Sequence, residues 1–268
     1  VMISGSATAP VLSTVEDNGL FFRTAPSDAR SAEVLAEILI EQGYKSAAIT
    51  YVNNDYGKGL GSAIEANFVA GGGTVTINAG HEENKGDYSA DAAALAQAGG
   101  DILVVAGYAD GGGGAIIQGS LDLGSFETFF LPDGMYADSL TATFGSQIDG
   151  SFGASAGTDS PGDATFKTLF AKAGHEYNVY AGEYYDAAAL IMLAMQAANS
   201  SSSSDLKDHV MDVANAPGEK IYPGELAKGL KILAGGGEID YVGASAVELI
   251  GPGESGGAYL QYEVQNGK

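Results

Sequence analysis

Four short stretches place polar or aromatic side chains beside residues small enough to let a ligand approach the backbone. "SGSATAP" holds Ser6, Ala7 and Thr8, "NNDYG" holds Tyr56, "AGYADGG" holds Tyr108, and "LPDGMY" holds Asp133. Together they offer hydroxyls, backbone amides, aromatic walls and one carboxylate. That set suits recognition more than bond making. A carboxylate opposite hydroxyl and amide donors fits a zwitterion, with Asp133 for an ammonium and Thr8 and its neighbouring amides for a carboxylate. Each residue also has a plainer use. Tyr56 can pack under a turn, Asp133 before Gly134 can shape one, and Thr8 can cap the next element.

Nucleotide chemistry is tested by spacing. In "ITYVNNDYGKGLGSA" (49–63) the glycines are Gly57, Gly59 and Gly61. A dinucleotide fingerprint would need a glycine where Ser62 stands. A P-loop would need a glycine five positions before Gly57 and a Ser or Thr after Lys58. Neither motif is present, and no cofactor is expected. Chain order suggests no Ser/His/Asp arrangement, so no catalytic residue is expected either. There is no cysteine, which excludes disulfides, thiol catalysis and zinc–thiolate sites. His81, His175 and His209 stand far apart in no metal-binding spacing and read as surface residues, so no metal site is expected.

At 268 residues the chain can bury a sizeable core in one or two domains. The 34 acids against 12 basic residues give a net charge of −22. That excludes nucleic acid as a partner, because phosphates need a basic surface. It also disfavours docking on anionic membranes. The acids are scattered, as on a strongly solvated surface. No apolar run reaches the length of about eighteen residues that a membrane span needs, so no membrane insertion is expected.

The elements that must position the four stretches alternate. "AAITYV" (47–52), "TVTINAG" (74–80), "DILVVAGY" (101–108) and "TFFLPDG" (128–134) read as strands. The third is a continuous apolar run, as a central parallel strand covered on both faces should be. Between them, 59–72, 87–100 with Ser89 as N-cap, and 114–124 read as helices. Strand–helix repeats imply a parallel, doubly wound α/β sheet with right-handed crossovers, whose ligands bind at strand tips. After residue 156 the pattern turns helical, at 162–175, 182–200, the helix after "SSSS", and 224–236. Two strand-like pieces, "SAVELI" and "GAYLQYEV", follow. The serines read as a mobile loop. Tyr184 and Tyr185 read as core and hinge packing, and Asp186 as a first-turn helix acid. Residues 155–250 carry too few strands for a sheet of their own and need those before residue 28. The expected organisation is therefore 1–27 in lobe one, 28–154 as lobe two, 155–250 as lobe one continued, and 251–268 as a crossover strand and tail.

In order and spacing these stretches resemble the periplasmic substrate-binding proteins of branched-chain amino acid ABC transporters. "ISGSATAP.LS" resembles the family's I-S-x-x-A-T-x-P-x-L-[ST] loop, "AAITYVNNDYGKGL" its strand and D-Y-G-x-G segment, and "GDYSADAAALAQAGGDILVVAGY" its D-[FY]-S…G-Y block. "FLPDGMYADSL", "YDAAALIMLAMQAA" and the closing "YVGASAVELIGPGESGGAYLQYEVQNGK" resemble later family segments, so the likeness covers nearly the whole chain. It implies a two-lobed type I periplasmic binding fold that closes about a hinge on a small-molecule ligand, an amino acid or related polar solute. It implies a membrane permease as partner and a periplasmic or lipoprotein-anchored location. Thr8 with the backbone from Ser6 to Thr8 resembles the lobe-one clamp. Tyr56 resembles the lobe-two tyrosine, Asp133 the acidic partner of the ammonium, and Tyr108 a second aromatic. The family's remaining lobe-one contacts would precede Val1, so the N-terminal part of lobe one, roughly one hundred residues at the usual domain size, is expected to be missing. "ADGGGG" (109–114) departs from the family pattern and implies a looser edge of the cleft. A ligand-sensing regulator or receptor domain of the same fold is the alternative reading, and an α/β enzyme a more distant one.

Overall fold

The computed structural model describes residues 1–268. The chain forms two compact units. The first comprises Val1–Thr8, Leu12–Ser27 and Ala156–Ala258, and the second Ala9–Val11, Asp28–Ser155 and Tyr259–Lys268.

The first unit opens with strands β1 (Met2–Ser4) and β2 (Phe21–Pro26). The second then runs α1 (Asp28–Glu41), β3 (Ser46–Val52), α2 (Asp55–Ala70), β4 (Thr74–His81), α3 (Ser89–Ala98), β5 (Ile102–Ala106), α4 (Gly114–Leu123), β6 (Phe129–Phe130), α5 (Asp138–Phe144) and β7 (Phe152–Ala156). The chain returns to the first unit with α6 (Pro161–Lys172), α7 (Ala181–Ala198), α8 (Ser203–Ala214), β8 (Glu219–Ile221), α9 (Leu226–Ala234), β9 (Ile239–Tyr241), β10 (Leu249–Ile250) and β11 (Glu254–Ser255). β12 (Tyr259–Glu263) completes the second unit.

The second unit is a six-stranded sheet in the order β12-β7-β6-β5-β3-β4, with parallel pairing from β7 through to β4. β5 is buried at every position, and its alternation divides the core in two. Ile102, Val104 and Ala106 pack against Leu35, Leu39, Leu60, Ile64 and Phe68 of α1 and α2. Leu103 and Val105 face Leu95, Ile116, Ile117 and Leu140 of α3, α4 and α5. A strand covered on both faces has no polar side to present, hence the unbroken apolar run. These are the doubly wound parallel layers that the sequence predicts.

The first unit holds a four-stranded sheet in the order β1-β2-β11-β10 and a separate parallel pair, β8-β9. Leu190, Leu193 and Ala194 of α7 share one core with Ile3, Phe22, Val210 and Tyr241. No helix in either unit is long and apolar enough to cross a membrane.

Several local expectations are corrected. α2 begins at Asp55, four residues before the predicted start. Asn54, in an extended conformation, accepts the Gly57 amide on its side chain at 2.9 Å and turns the polar tip into the first helical turn. Ser89 does not cap α3; Asp87 accepts the Ser89 amide instead. β6 is only two residues long, and Pro132, which cannot donate to a ladder, follows close behind it. Ser203 and Ser204 of the serine run lie inside α8.

Candidate functional site

The carboxyl ends of β3, β5 and β6 bring Tyr56, Tyr108 and Asp133 together in the second unit. The Asn54 cap carries Tyr56 back over the sheet at the start of α2. Tyr108 follows β5 directly after Gly107, and Asp133 opens a 3-10 turn after Pro132. The Tyr56 hydroxyl donates to Asp133 Oδ1 at 3.0 Å. The Tyr56 and Tyr108 rings stack with centroids 5.3 Å apart and planes 16° apart. Asn54 Nδ2 reaches the Tyr108 hydroxyl at 3.5 Å, the limit of a hydrogen bond.

Electrostatics keep the two phenols of this group neutral. Burial, followed by the nearby carboxylates of Asp133 and Asp28, pushes the Tyr56 phenol well above its ordinary range. Burial raises Tyr108 as well, partly offset by its Asn54 contact. Gly134 is required by close approach. A Cβ there would lie 2.3 Å from the Gly107 carbonyl oxygen and 2.8 Å from the Tyr56 hydroxyl.

Ser6, Ala7 and Thr8 lie in the first unit, in the loop after β1. The expectation that this loop's amides are open to a ligand needs correction, because Ser4 Oγ accepts the Ser6 and Ala7 amides at 3.4 and 3.1 Å. Thr8 is buried. Arg23 at 0% exposure holds the loop from below. It donates to the Ala7 carbonyl at 3.1 Å and to Ser13 Oγ at 2.9 Å, and pairs with Glu254.

Sequence reasoning missed Tyr184. It is not core: it is 53% exposed and its hydroxyl lies 2.7 Å from Ser6 Oγ. A solvent-facing phenol hydrogen-bonded to the candidate loop extends that loop's polar surface, and only its place on the first turn of α7 could have signalled it. Tyr185 is half-buried and accepts the Gly224 amide at 3.0 Å. Asp186 is not a first-turn acid; that place belongs to Glu183. Asp186 is fully buried and accepts from Tyr241 Oη, the Ala244 and Ser245 amides, and Ser245 Oγ, all within 2.9 Å.

His81 is also corrected from surface to core, at 1% exposure. The glycine run after Tyr108 is not loose. Ala109–Gly113 form a kinked turn, its backbone non-helical at Gly111 and Gly112, in which Gly111, Gly112 and Gly113 are buried. The stretch Gly153–Gly157 fits G-x-S-x-G, but its Ser155 lies within β7, not on the sharp strand-to-helix turn that exposes a nucleophile. No group of three His, Cys, Asp or Glu side chains could hold a metal ion.

A carboxylate at converging strand ends, beside two stacked phenol rings in a doubly wound sheet, stands where proteins of this architecture bind small molecules. Residues 1–218 match the family model described as periplasmic binding protein, and the chain belongs to that family, one of binding proteins and not of enzymes. It is 30% identical over 225 residues to Leu/Ile/Val-binding protein homolog 1 of Brucella melitensis, covering 81% of this chain and 57% of that protein. Homolog 3 of the same organism is 33% identical over 114 residues, covering 42% of this chain and 31% of that protein. The matches thus span about half or less of these relatives' length.

Among solved structures, a leucine-binding protein from Thermotoga maritima superposes with a TM-score of 0.80 at 19% identity, over 100% of this chain and 70% of its own. A substrate-binding protein from Desulfitobacterium hafniense in complex with Leu gives 0.68 at 23%, over 100% and 72%. A solute-binding protein from R. palustris in complex with benzoate gives 0.76 at 17%, over 99% and 68%. These likenesses show the type I periplasmic-binding-protein fold.

Proposed function

We propose that this chain binds an amino acid, or a related small molecule bearing both an ammonium and a carboxylate, as the extracytoplasmic solute-binding component of an ABC transporter. The observation that carries the reading is the Tyr56–Asp133 hydrogen bond beside the Tyr108 ring. A carboxylate already oriented by a phenol can accept a charge-assisted bond from an ammonium, and two aromatic faces reinforce the attraction for a cation. Ser6, Ala7 and Thr8 remain the candidate loop of the first unit, which would contribute the Ser6 and Thr8 hydroxyls rather than the Ser6 and Ala7 amides that Ser4 already holds, with the Tyr184 hydroxyl beside Ser6. The relatives' names, and the Leu held by the Desulfitobacterium hafniense protein, support this ligand class. The benzoate held by the R. palustris protein has no ammonium for Asp133 to meet. A permease that receives the ligand, and a periplasmic or lipid-anchored location, belong to the same proposal.

Calorimetric titration of the full-length protein with L-leucine and with benzoate tests it. Heat of binding with leucine and none with benzoate is the expected result. Binding of benzoate alone would show that Asp133 does not select the ligand.

A further inference from the structure

His81 ends β4 and points inward across the carboxyl ends of the neighbouring strands. Its Nδ1 lies 2.9 Å from Thr50 Oγ1 on β3. The Thr50 hydroxyl also lies 3.2 Å from the Ala79 carbonyl, and when it donates there the proton between Thr50 and His81 sits on Nδ1. Nε2 then carries the bare lone pair, and it is buried with no hydrogen-bond partner. What it meets is Gly107: a Cβ on that residue would lie 3.1 Å from Nε2. The edge of the imidazole also faces the Tyr88 ring, with centroids 6.2 Å apart.

Gly107 connects this ring to the candidate site twice. The next residue is Tyr108. The Gly107 carbonyl oxygen also abuts Gly134, in the turn that carries Asp133. We propose that neutral His81 is a positioning residue, a packed support under Gly107 that sets the place of the Tyr108 ring and of the Asp133–Gly134 turn. The inference rests on the reading of Tyr56, Tyr108 and Asp133 as ligand-binding groups.

The neutral form is the one that fits. A proton on Nε2 would create a buried N–H with no acceptor, which is costly. Asp91 on α3 and Glu82 just beyond β4 are the charged groups that bear on the ring, and both favour its protonation. Burial outweighs them and pushes the imidazole below its ordinary range. Thr50, Tyr88 and Gly107 contribute no charge. Acid therefore either displaces the ring or strains the backbone above it, and both loosen the support of Tyr108 and Asp133.

The test uses the full-length protein and L-leucine as probe. Lowering the pH from about 7 to about 5 should weaken binding about tenfold, but less than about twofold in His81→Gln, whose amide takes up no proton in this range. Other groups that titrate in that window, Glu183 among them, are common to both proteins. An equal loss in both overturns the proposal.

A second measurement needs no ligand. In NMR spectra of protein labelled on its tyrosine rings, the Tyr108 signals should shift between wild type and His81→Gln at neutral pH, and coincident signals overturn the proposal. His81→Asn, whose amide stands at the Nδ1 position, replaces the Gln variant if that one does not fold. Absence of leucine binding by the wild type counts against the ligand class, while the Tyr108 signals still decide the role of His81.

Discussion

The Tyr56 phenol donates to Asp133 Oδ1 at 3.0 Å, joining two strand ends that are 77 residues apart in the chain. The bond orients the Asp133 side chain. It makes Oδ1 and Oδ2 geometrically distinct, and under the proposed function it would set the direction from which an ammonium is met.

Asp133→Asn should weaken L-leucine binding in the full-length protein by roughly two to three orders of magnitude. Removing one partner of a buried charge pair costs about 3–5 kcal/mol, and about 1.4 kcal/mol is tenfold in affinity. The amide preserves the turn, so thermal unfolding should change little. Tyr56→Phe should cost less, about 1.5 kcal/mol, the low end for a hydrogen bond to a charged group. Calorimetric titration of both variants checks the order. Unchanged affinity in Asp133→Asn would return Asp133 to the role of a turn former.

Glu183 predicts a pH dependence of stability. It is 4% exposed, its Oε2 has no hydrogen-bond partner, and burial, reinforced by Asp186 and Asp163, raises its carboxyl from 4.5 to about 7. Between those values the folded chain holds a proton that the unfolded chain has released. Stability conferred by this group therefore falls as pH rises through the window, by about 3 kcal/mol in all. Glu183→Gln keeps the neutral form at every pH. Urea unfolding at about pH 5 and about pH 8 should show the loss in wild type and a smaller loss in the variant. The Thr24 hydroxyl, which donates to the Glu183 carbonyl at 2.7 Å, should be unaffected by the change.

Asp186 predicts a large structural penalty. Asp186→Ala would strip the Tyr241 hydroxyl, two backbone amides and the Ser245 hydroxyl of their common acceptor. Buried donors left unpaired cost about 1–3 kcal/mol each, so a loss of several kcal/mol is expected. Asp186→Asn should retain part of the network and lose less. The comparison by urea unfolding separates the acceptor role from charge, since burial already pushes this carboxyl up.

The strands and helices of the second unit are legible in the sequence because their signals are local. The run Ile102–Ala106 identifies a strand buried on both faces, and glycine at 71 and 124 marks helix ends. The start of α2 was hidden because Asn54, a turn former by composition, is also a helix cap, and glycines at 57, 59 and 61 mask the helix that follows. His81 was hidden for another reason. Its burial comes from Thr50 on β3, Gly107 after β5 and Tyr88 before α3, and no periodicity along β4 reports that. Tyr184 and Asp186 differ in the same way. They are two residues apart on α7, yet one faces solvent and the other a buried turn. The pairing of Tyr56 with Asp133 shows that the sequence can nominate site residues singly, while the bond between them needs the tertiary fold.

β12 bears on the order in which the molecule can be made. Tyr259–Glu263 forms the last strand of the six-stranded sheet, beside β7, and Val264 exchanges backbone hydrogen bonds with Gly150 and Ser151. Roughly a hundred residues of the first unit, Ala156–Ala258, are synthesised between those two partners. On the ribosome, β7 must therefore wait with one edge open while all of that chain emerges. A nascent chain paused before Tyr259 would be sensitive to proteases and prone to pairing through its edge, which matters for any protein whose passage depends on staying unfolded until synthesis ends.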